Sequence, residues 1–279
     1  MAPSRVEEVR QTDKPHNLAS GPSPPFPSNG HWTPNTVLST LSQQPELHST
    51  SPLPFLHLLE RLKTNKREGW RRFNINNGES ISDHMYRMSI ITMLCPPTLA
   101  VKLDLARCTK MALIHDMAES LVGDITPVDG VSKSEKSRRE AETMDYLCTS
   151  LLGNVHKESK QGQQIRDIWQ EYEDAKTLES QFVHDVDKIE LLLQMVEYER
   201  SYNGEKDLGE FSRVAKRVVL PEMQAWAEEL LAERAKFWVS VGETPSGVRN
   251  VSEEIKKQQD EYYGNSNRHA TRELEEVKK

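Results

Sequence analysis

Met111-Ala-Leu-Ile-His115-Asp116-Met-Ala-Glu119-Ser-Leu-Val-Gly123-Asp124 sets one histidine and three carboxylates into a stretch that is otherwise almost wholly apolar. Just before and through it, Leu105, Cys108, Met111, Ala112 and His115 recur at helical spacing, and Asp104 stands where an N-cap belongs. The stretch reads as a helix that begins after Asp104 and runs out before Gly123. On such a helix His115 and Glu119, four residues apart, would share a face. An adjacent His-Asp pair alone is weak evidence for chemistry, since most such pairs are hydrogen-bonded core residues.

Working outward, the same helical periodicity continues on both sides. Phe55, Leu56, Leu58, Leu59 and Leu62 predict a first amphipathic helix. Ser80 or Ser82 can cap a second, carrying His84, Met85, Met88 and Ile91 and ended by Pro96-Pro97. Further helices are expected from about Ser132 to Leu152, near Ile165 to Tyr172, from Thr177 to near Tyr202-Asn203-Gly204, and from Pro221 to about Val239. No stretch alternates like a β-hairpin, and no internal repeat is found. The fold class expected is all-α: one helical bundle over residues 52–241.

The flanks differ in composition. Residues 1–51 hold eight of the fifteen prolines, many Ser, Thr, Asn and Gln, and little apolar periodicity, so they are expected to form a disordered tail. A charged, weakly ordered tail is expected over 242–279, where Pro245-Ser-Gly gives way to lysine and glutamate. Net charge is −7 and mean hydropathy −0.69. That balance gives no general attraction to nucleic acid or to an anionic membrane, and an anionic substrate would need local cations. Cys95, Cys108 and Cys148 sit in apolar-periodic stretches and read as buried thiols. No apolar run reaches the roughly 20 residues of a membrane span. With no signal or transit pattern, cytosol or nucleus is the expected location.

Two further segments raise the standing of the His-Asp pair. Glu79-Ser-Ile-Ser-Asp83-His84-Met-Tyr86-Arg87 places a histidine in the first turns of an amphipathic helix. Phe182-Val-His184-Asp185-Val-Asp187-Lys188 places carboxylates in an apolar run. Two imidazoles and two carboxylates suit a first-row divalent cation with coordination positions left over. Asp185 and Asp187, two apart on a helix, point about 200° from each other, so only one can face such a centre. Periodicity does not choose between them.

In this order and wording the sequence resembles the HD-domain phosphohydrolases, and within them the 5′-deoxynucleotidase branch. The resemblance runs from about Leu53 to Trp238 and includes Arg67-Glu-Gly-Trp70, Glu79 to Arg87, His115 to Asp124, Lys136-Ser-Arg-Arg-Glu140 and Asp187. It implies that His84, His115, Asp116 and Asp187 bind a divalent metal (Mn²⁺, Co²⁺ or Mg²⁺). Glu119 and Asp124 would position the attacking water and move protons. Arg67 would hold the phosphate and Trp70 would line the sugar pocket. The implied reaction releases phosphate from a deoxyribonucleoside 5′-monophosphate, and the implied assembly is a homodimer. Alternatives are a hydrolase of another phosphorylated metabolite, such as a cyclic nucleotide or an alarmone, and a metal-stabilised interaction protein without catalysis. His57 reads as a core or boundary histidine, His184 is unassigned, and the Lys133–Glu140 run reads as a solvated helix face.

Overall fold

A computed structural model describes residues 31–156, 160–247 and 251–263. Along the chain run α1 (Pro34–Leu38), α2 (Leu53–Leu59), α3 (Arg61–Thr64), α4 (Glu68–Arg71), α5 (Ile81–Met93), α6 (Pro97–Ala100), α7 (Leu105–Ile114), α8 (Glu119–Val122) and α9 (Lys133–Asp145). A π-helical turn, Tyr146–Leu151, extends α9. Then come α10 (Gln161–Asp174), α11 (Leu178–Ser201), a 3₁₀ helix (Gly209–Arg217), α12 (Pro221–Ser240) and α13 (Glu253–Tyr263). Among the described residues the only extended pairing is a single antiparallel bridge between Lys66 and Ser80.

Three helices make the centre. α5 and α7 pack on each other, and α11 crosses both. Each begins where the sequence places a cap: Ser80 Oγ accepts the Asp83 N–H at 3.1 Å, Asp104 Oδ1 that of Arg107 at 3.0 Å, and Thr177 Oγ1 that of Ser180 at 3.1 Å. The Asp83 carboxylate returns a bond from the Ser80 N–H, closing a capping box at the head of α5. With its start fixed, α5 turns Ile81, His84, Met85, Met88 and Ile91 inward. α7 buries Cys108, Met111 and Ala112, and α11 buries Phe182, Val186, Ile189, Leu192 and Met195. The histidine at position 84 thus occupies a core row, which gives it a fixed direction.

The Asp104 helix is shorter than its periodicity implies. α7 stops at Ile114, and the next residues form a tight turn whose bonds run from Met117 N to Ile114 O and from Glu119 N to Asp116 O. Three-residue closures tighten the backbone, so the expected shared helix face of His115 and Glu119 does not exist. α8 follows and ends at Gly123, whose φ of 80° and ψ of 167° suit only glycine and swing Asp124 back toward the site.

Both expected tails are corrected within the described residues. Trp32, Val37 and Leu38 are buried in the main core, with α1 against α8 and α9. A five-residue helix opened by Pro34 and followed by Ser39 has too few turns to show periodicity. At the other end Ser246 hydrogen-bonds Asp207 and accepts from Arg234, Val251 is buried, and Asp260 pairs with Arg213 and Arg217. Residues 1–30, 248–250 and 264–279 lie outside the described residues, and the insert expected at 154–163 is described only in part.

Burying one large apolar side chain contributes roughly 1.5–3 kcal/mol. A chain starting at Ser51 should therefore be less stable by on the order of 4–8 kcal/mol, a fall of roughly 10–20 °C in Tm for a domain of this size. Trp32→Ala alone should cost about 3–5 kcal/mol. Unchanged thermal melts for both would show that the α1 segment does not pack on the domain.

Candidate metal centre and active site

His84 in the first turns of α5, His115-Asp116 just past α7, and Asp187 on α11 meet where those helices cross. His84 Nε2 lies 3.2 Å from Asp187 Oδ1 and 3.7 Å from Asp116 Oδ2, and His115 Nε2 lies 3.2 Å from the same Asp116 oxygen. Ligand atoms of His84, His115 and Asp187 all fall within 4.8 Å of one another. The four residues expected from sequence are thus brought together.

The far nitrogens of both rings are engaged. His115 Nδ1 donates to the Ala112 carbonyl at 2.9 Å, and His84 Nδ1 donates to Glu190 Oε2 at 2.6 Å. Carbonyl and carboxylate accept only, so each Nδ1 carries a proton and each ring turns its Nε2 toward the centre. Both Nε2 atoms are buried and make no hydrogen bond. A buried polar atom without a partner costs about 1–3 kcal/mol. Two such atoms converging between two carboxylates match the donor set of a divalent cation.

The charges around this point agree. Burial alone would raise the Asp116 carboxyl, but His115, Arg67 and His84 outweigh it and hold it well below the usual range. Asp187 is likewise held low by His84, His115 and Arg67 against its burial. Burial and Arg67 press the His84 imidazolium down, yet Glu190 and Asp187 lift it to about 10, so a cation bound there would displace the proton from Nε2. Glu119 is buried, with Oε2 unbonded, and burial beside Asp116 and Asp124 pushes its carboxyl well up. The Lys136 ammonium lies 3.4 Å from Glu119 Oε1 and 3.4 Å from Glu140 Oε1. A residue expected on a solvated face therefore reaches the site.

Arg67 points into the centre, 3.1 Å from Asp116 Oδ2 and 3.7 Å from Asp124 Oδ1. The Lys66–Ser80 bridge ties its loop to the head of α5, with Arg67 N bonded to Glu79 O and Ile81 N to Asn65 O. Asp124 Oδ2 accepts the Glu68 N–H at 2.6 Å, anchoring the same loop from the other side. Asp124 thus holds Arg67 as well as lying beside Glu119.

Trp70 departs from its expected place. It is 1% exposed, its ring lies against Phe211 and Tyr198, and its Nε1–H is bonded to Glu79 Oε1 at 2.8 Å. A sugar has no open ring face to meet there, and the expectation of a pocket-lining Trp70 is corrected to a core role. His184 is stacked on Tyr172, donates to the Tyr172 carbonyl, and is pushed down to about 3 by burial. It is a neutral packing residue. Glu190 went unassigned from sequence although it had a signal, since it lies three residues beyond Asp187 and shares its helix face.

The HD domain family model matches residues 59–226. Among curated proteins, the chain is 48% identical to 5′-deoxynucleotidase hdd1 of Schizosaccharomyces pombe, over 69% of this chain and 95% of that one. It is 42% identical to 5′-deoxynucleotidase YGK1 of Saccharomyces cerevisiae, over 75% and 94% of the two chains. It is 39% identical to human 5′-deoxynucleotidase HDDC2, over 66% and 87%. Two solved structures share the fold. The HD domain-containing protein YGK1 has a TM-score of 0.52 at 35% identity, covering 74% of this chain and 98% of its own. A conserved hypothetical protein from Pyrococcus furiosus has a TM-score of 0.50 at 29% identity, covering 66% and 99%.

The two aspartates of α11 should fail in different ways. Asp185 is fully buried, accepts the N–H groups of Val219 and Leu220 ahead of α12, and pairs with Lys188. Asp185→Ala should lower stability by on the order of 2–5 kcal/mol through the orphaned donors, while leaving metal affinity in the folded protein unchanged. Asp187→Ala should abolish tight metal binding with little change in the metal-free melt. Calorimetric metal titration beside thermal melts decides this, and the reversed pattern would reassign the carboxylate.

Proposed function

Because this chain belongs to the HD domain family, we propose that it is a metal-dependent phosphomonoesterase releasing inorganic phosphate from deoxyribonucleoside 5′-monophosphates. The observation that carries the reading is the pair of buried, unbonded Nε2 atoms of His84 and His115, converging beside Asp116 and Asp187. The choice of substrate is supported by the curated relatives, which are named 5′-deoxynucleotidases and are matched over most of their length.

His84, His115, Asp116 and Asp187 would hold the ion, with Mn²⁺, Co²⁺ and Mg²⁺ as the candidates. A bound divalent cation supplies an acidified water and offsets phosphate charge. The chain's own groups do the rest. Arg67, fixed between Asp116 and Asp124, offers a guanidinium to a phosphate oxygen. Glu119 carries a free carboxylate oxygen beside that point and exchanges a proton with the attacking water and the leaving 5′-oxygen. Lys136, against the other oxygen of Glu119, keeps this carboxyl oriented. Asp124 assists by holding Arg67 and shaping the water's position. A non-catalytic metal protein would have no use for a buried Glu119 with one oxygen unbonded. Among the described residues no helix is long and apolar enough to cross a membrane. The family resemblance implies a homodimer.

Phosphate release should be seen with deoxyadenosine 5′-monophosphate and be several-fold slower with adenosine 5′-monophosphate. Exhaustive chelation should abolish it, and Mn²⁺, Co²⁺ or Mg²⁺ should restore it to different extents. Glu119→Gln should lower kcat by roughly 10²–10⁴-fold with metal still bound. Full turnover in chelated, metal-free protein would sink the mechanism, and equal rates on the two nucleotides would remove the deoxyribose preference.

A further inference from the structure

Glu190 lies three residues beyond Asp187 on α11, and no part of it is exposed. Its two oxygens face different partners. Oε2 accepts the His84 Nδ1–H at 2.6 Å, and Oε1 accepts the Arg87 Nε–H at 2.8 Å and forms an ion pair with Nη2 of the same guanidinium at 2.6 Å. The remaining Arg87 donors are held on the same helix, by Gln194 Oε1 at 2.7 Å and Glu197 Oε2 at 2.6 Å. An unbroken series of charge-assisted bonds therefore runs from the rim of α11 inward to the back of the His84 ring.

Stability alone does not account for this arrangement. A buried ion pair often gains little over apolar residues of the same volume, because desolvation offsets attraction. An apolar residue at 190 would fit the run Ile189 to Leu193. The carboxylate's distinctive effect is on the imidazole: it fixes the ring's rotation, keeps its proton on Nδ1 and makes Nε2 a stronger donor.

We infer that Glu190, gripped by Arg87, is a positioning residue that sets the orientation of His84 and holds a proton on Nδ1, so that Nε2 is the nitrogen facing Asp187 and Asp116. The inference rests on His84 being a metal ligand, as proposed above. Glu190 itself touches neither the ion nor the substrate.

The test is Mn²⁺ titration of the full-length protein followed by the electron paramagnetic resonance of free Mn²⁺, beside thermal melts of the metal-free proteins. Glu190→Gln keeps shape and a hydrogen-bond acceptor but loses the charge, and should bind Mn²⁺ roughly 10- to 100-fold more weakly with an unchanged metal-free melt. Its phosphate release should return toward the parent kcat at saturating Mn²⁺, which a general packing defect would not allow. Arg87→Met should shift affinity in the same direction by less. Glu197→Ala, at the half-exposed outer end of the series, should leave affinity unchanged. Unaltered Mn²⁺ affinity in Glu190→Gln, or failure of that chain to fold, would overturn the role. A parent protein that binds no Mn²⁺ would overturn the metal centre itself, and this role with it.

Discussion

Two imidazole nitrogens are buried without a hydrogen bond at the crossing of α5, α7 and α11, each 3.2 Å from a carboxylate oxygen, and much of the molecule is arranged around that fact. Each would cost about 1–3 kcal/mol if left so, and folded domains are stable by only about 5–15 kcal/mol in all. A core built for packing alone would put leucine or methionine at 84 and 115. The neighbouring core rows, Met85 and Met88 on α5 and Met111 and Ala112 on α7, are filled in that way. The exceptions fall where Asp116 and Asp187 also arrive, and where the back of each ring is already bonded.

Secondary structure supplies the rigidity this demands. The capping box at Ser80 fixes the first turn of α5 and so the direction of His84. The tight turn after Ile114 brings Asp116 round toward both rings, and Gly123 returns Asp124 to Arg67. The loop carrying Arg67 is pinned from two sides, by the Lys66–Ser80 bridge and by Asp124. Carboxylates close together in a poorly solvated place repel one another, and Arg67 and Lys136 offset that repulsion while leaving Glu119 with an unbonded oxygen.

Much of this could be read from residue order. The caps Ser80, Asp104 and Thr177 and the proline opening α12 are local signals, and each helix starts where its signal stands. His84, His115 and Asp116 stand out in sequence because a metal-capable residue in an apolar row conflicts with packing, whereas Asp187 is preferred over Asp185 only by the family resemblance. What escaped depends on distant contacts. α1 is too short to show a period, and Trp32 is held by partners more than eighty residues away, among them Arg138, which bonds its carbonyl. The break at Ile114 has no local signal, since the helical pattern of the sequence continues through it. Trp70 was misplaced because a motif gives neighbours in sequence, and its core partners Tyr198 and Phe211 lie far along the chain.

The central claim is that His84, His115, Asp116 and Asp187 form one cation site. Anomalous diffraction from crystals of the full-length protein grown with Mn²⁺ tests it most directly. The expected result is a single strong peak within about 2.0–2.3 Å of both Nε2 atoms and of an oxygen from each aspartate, distances usual for first-row divalent ions. A peak elsewhere, or none at these four residues in protein that releases phosphate, would contradict it.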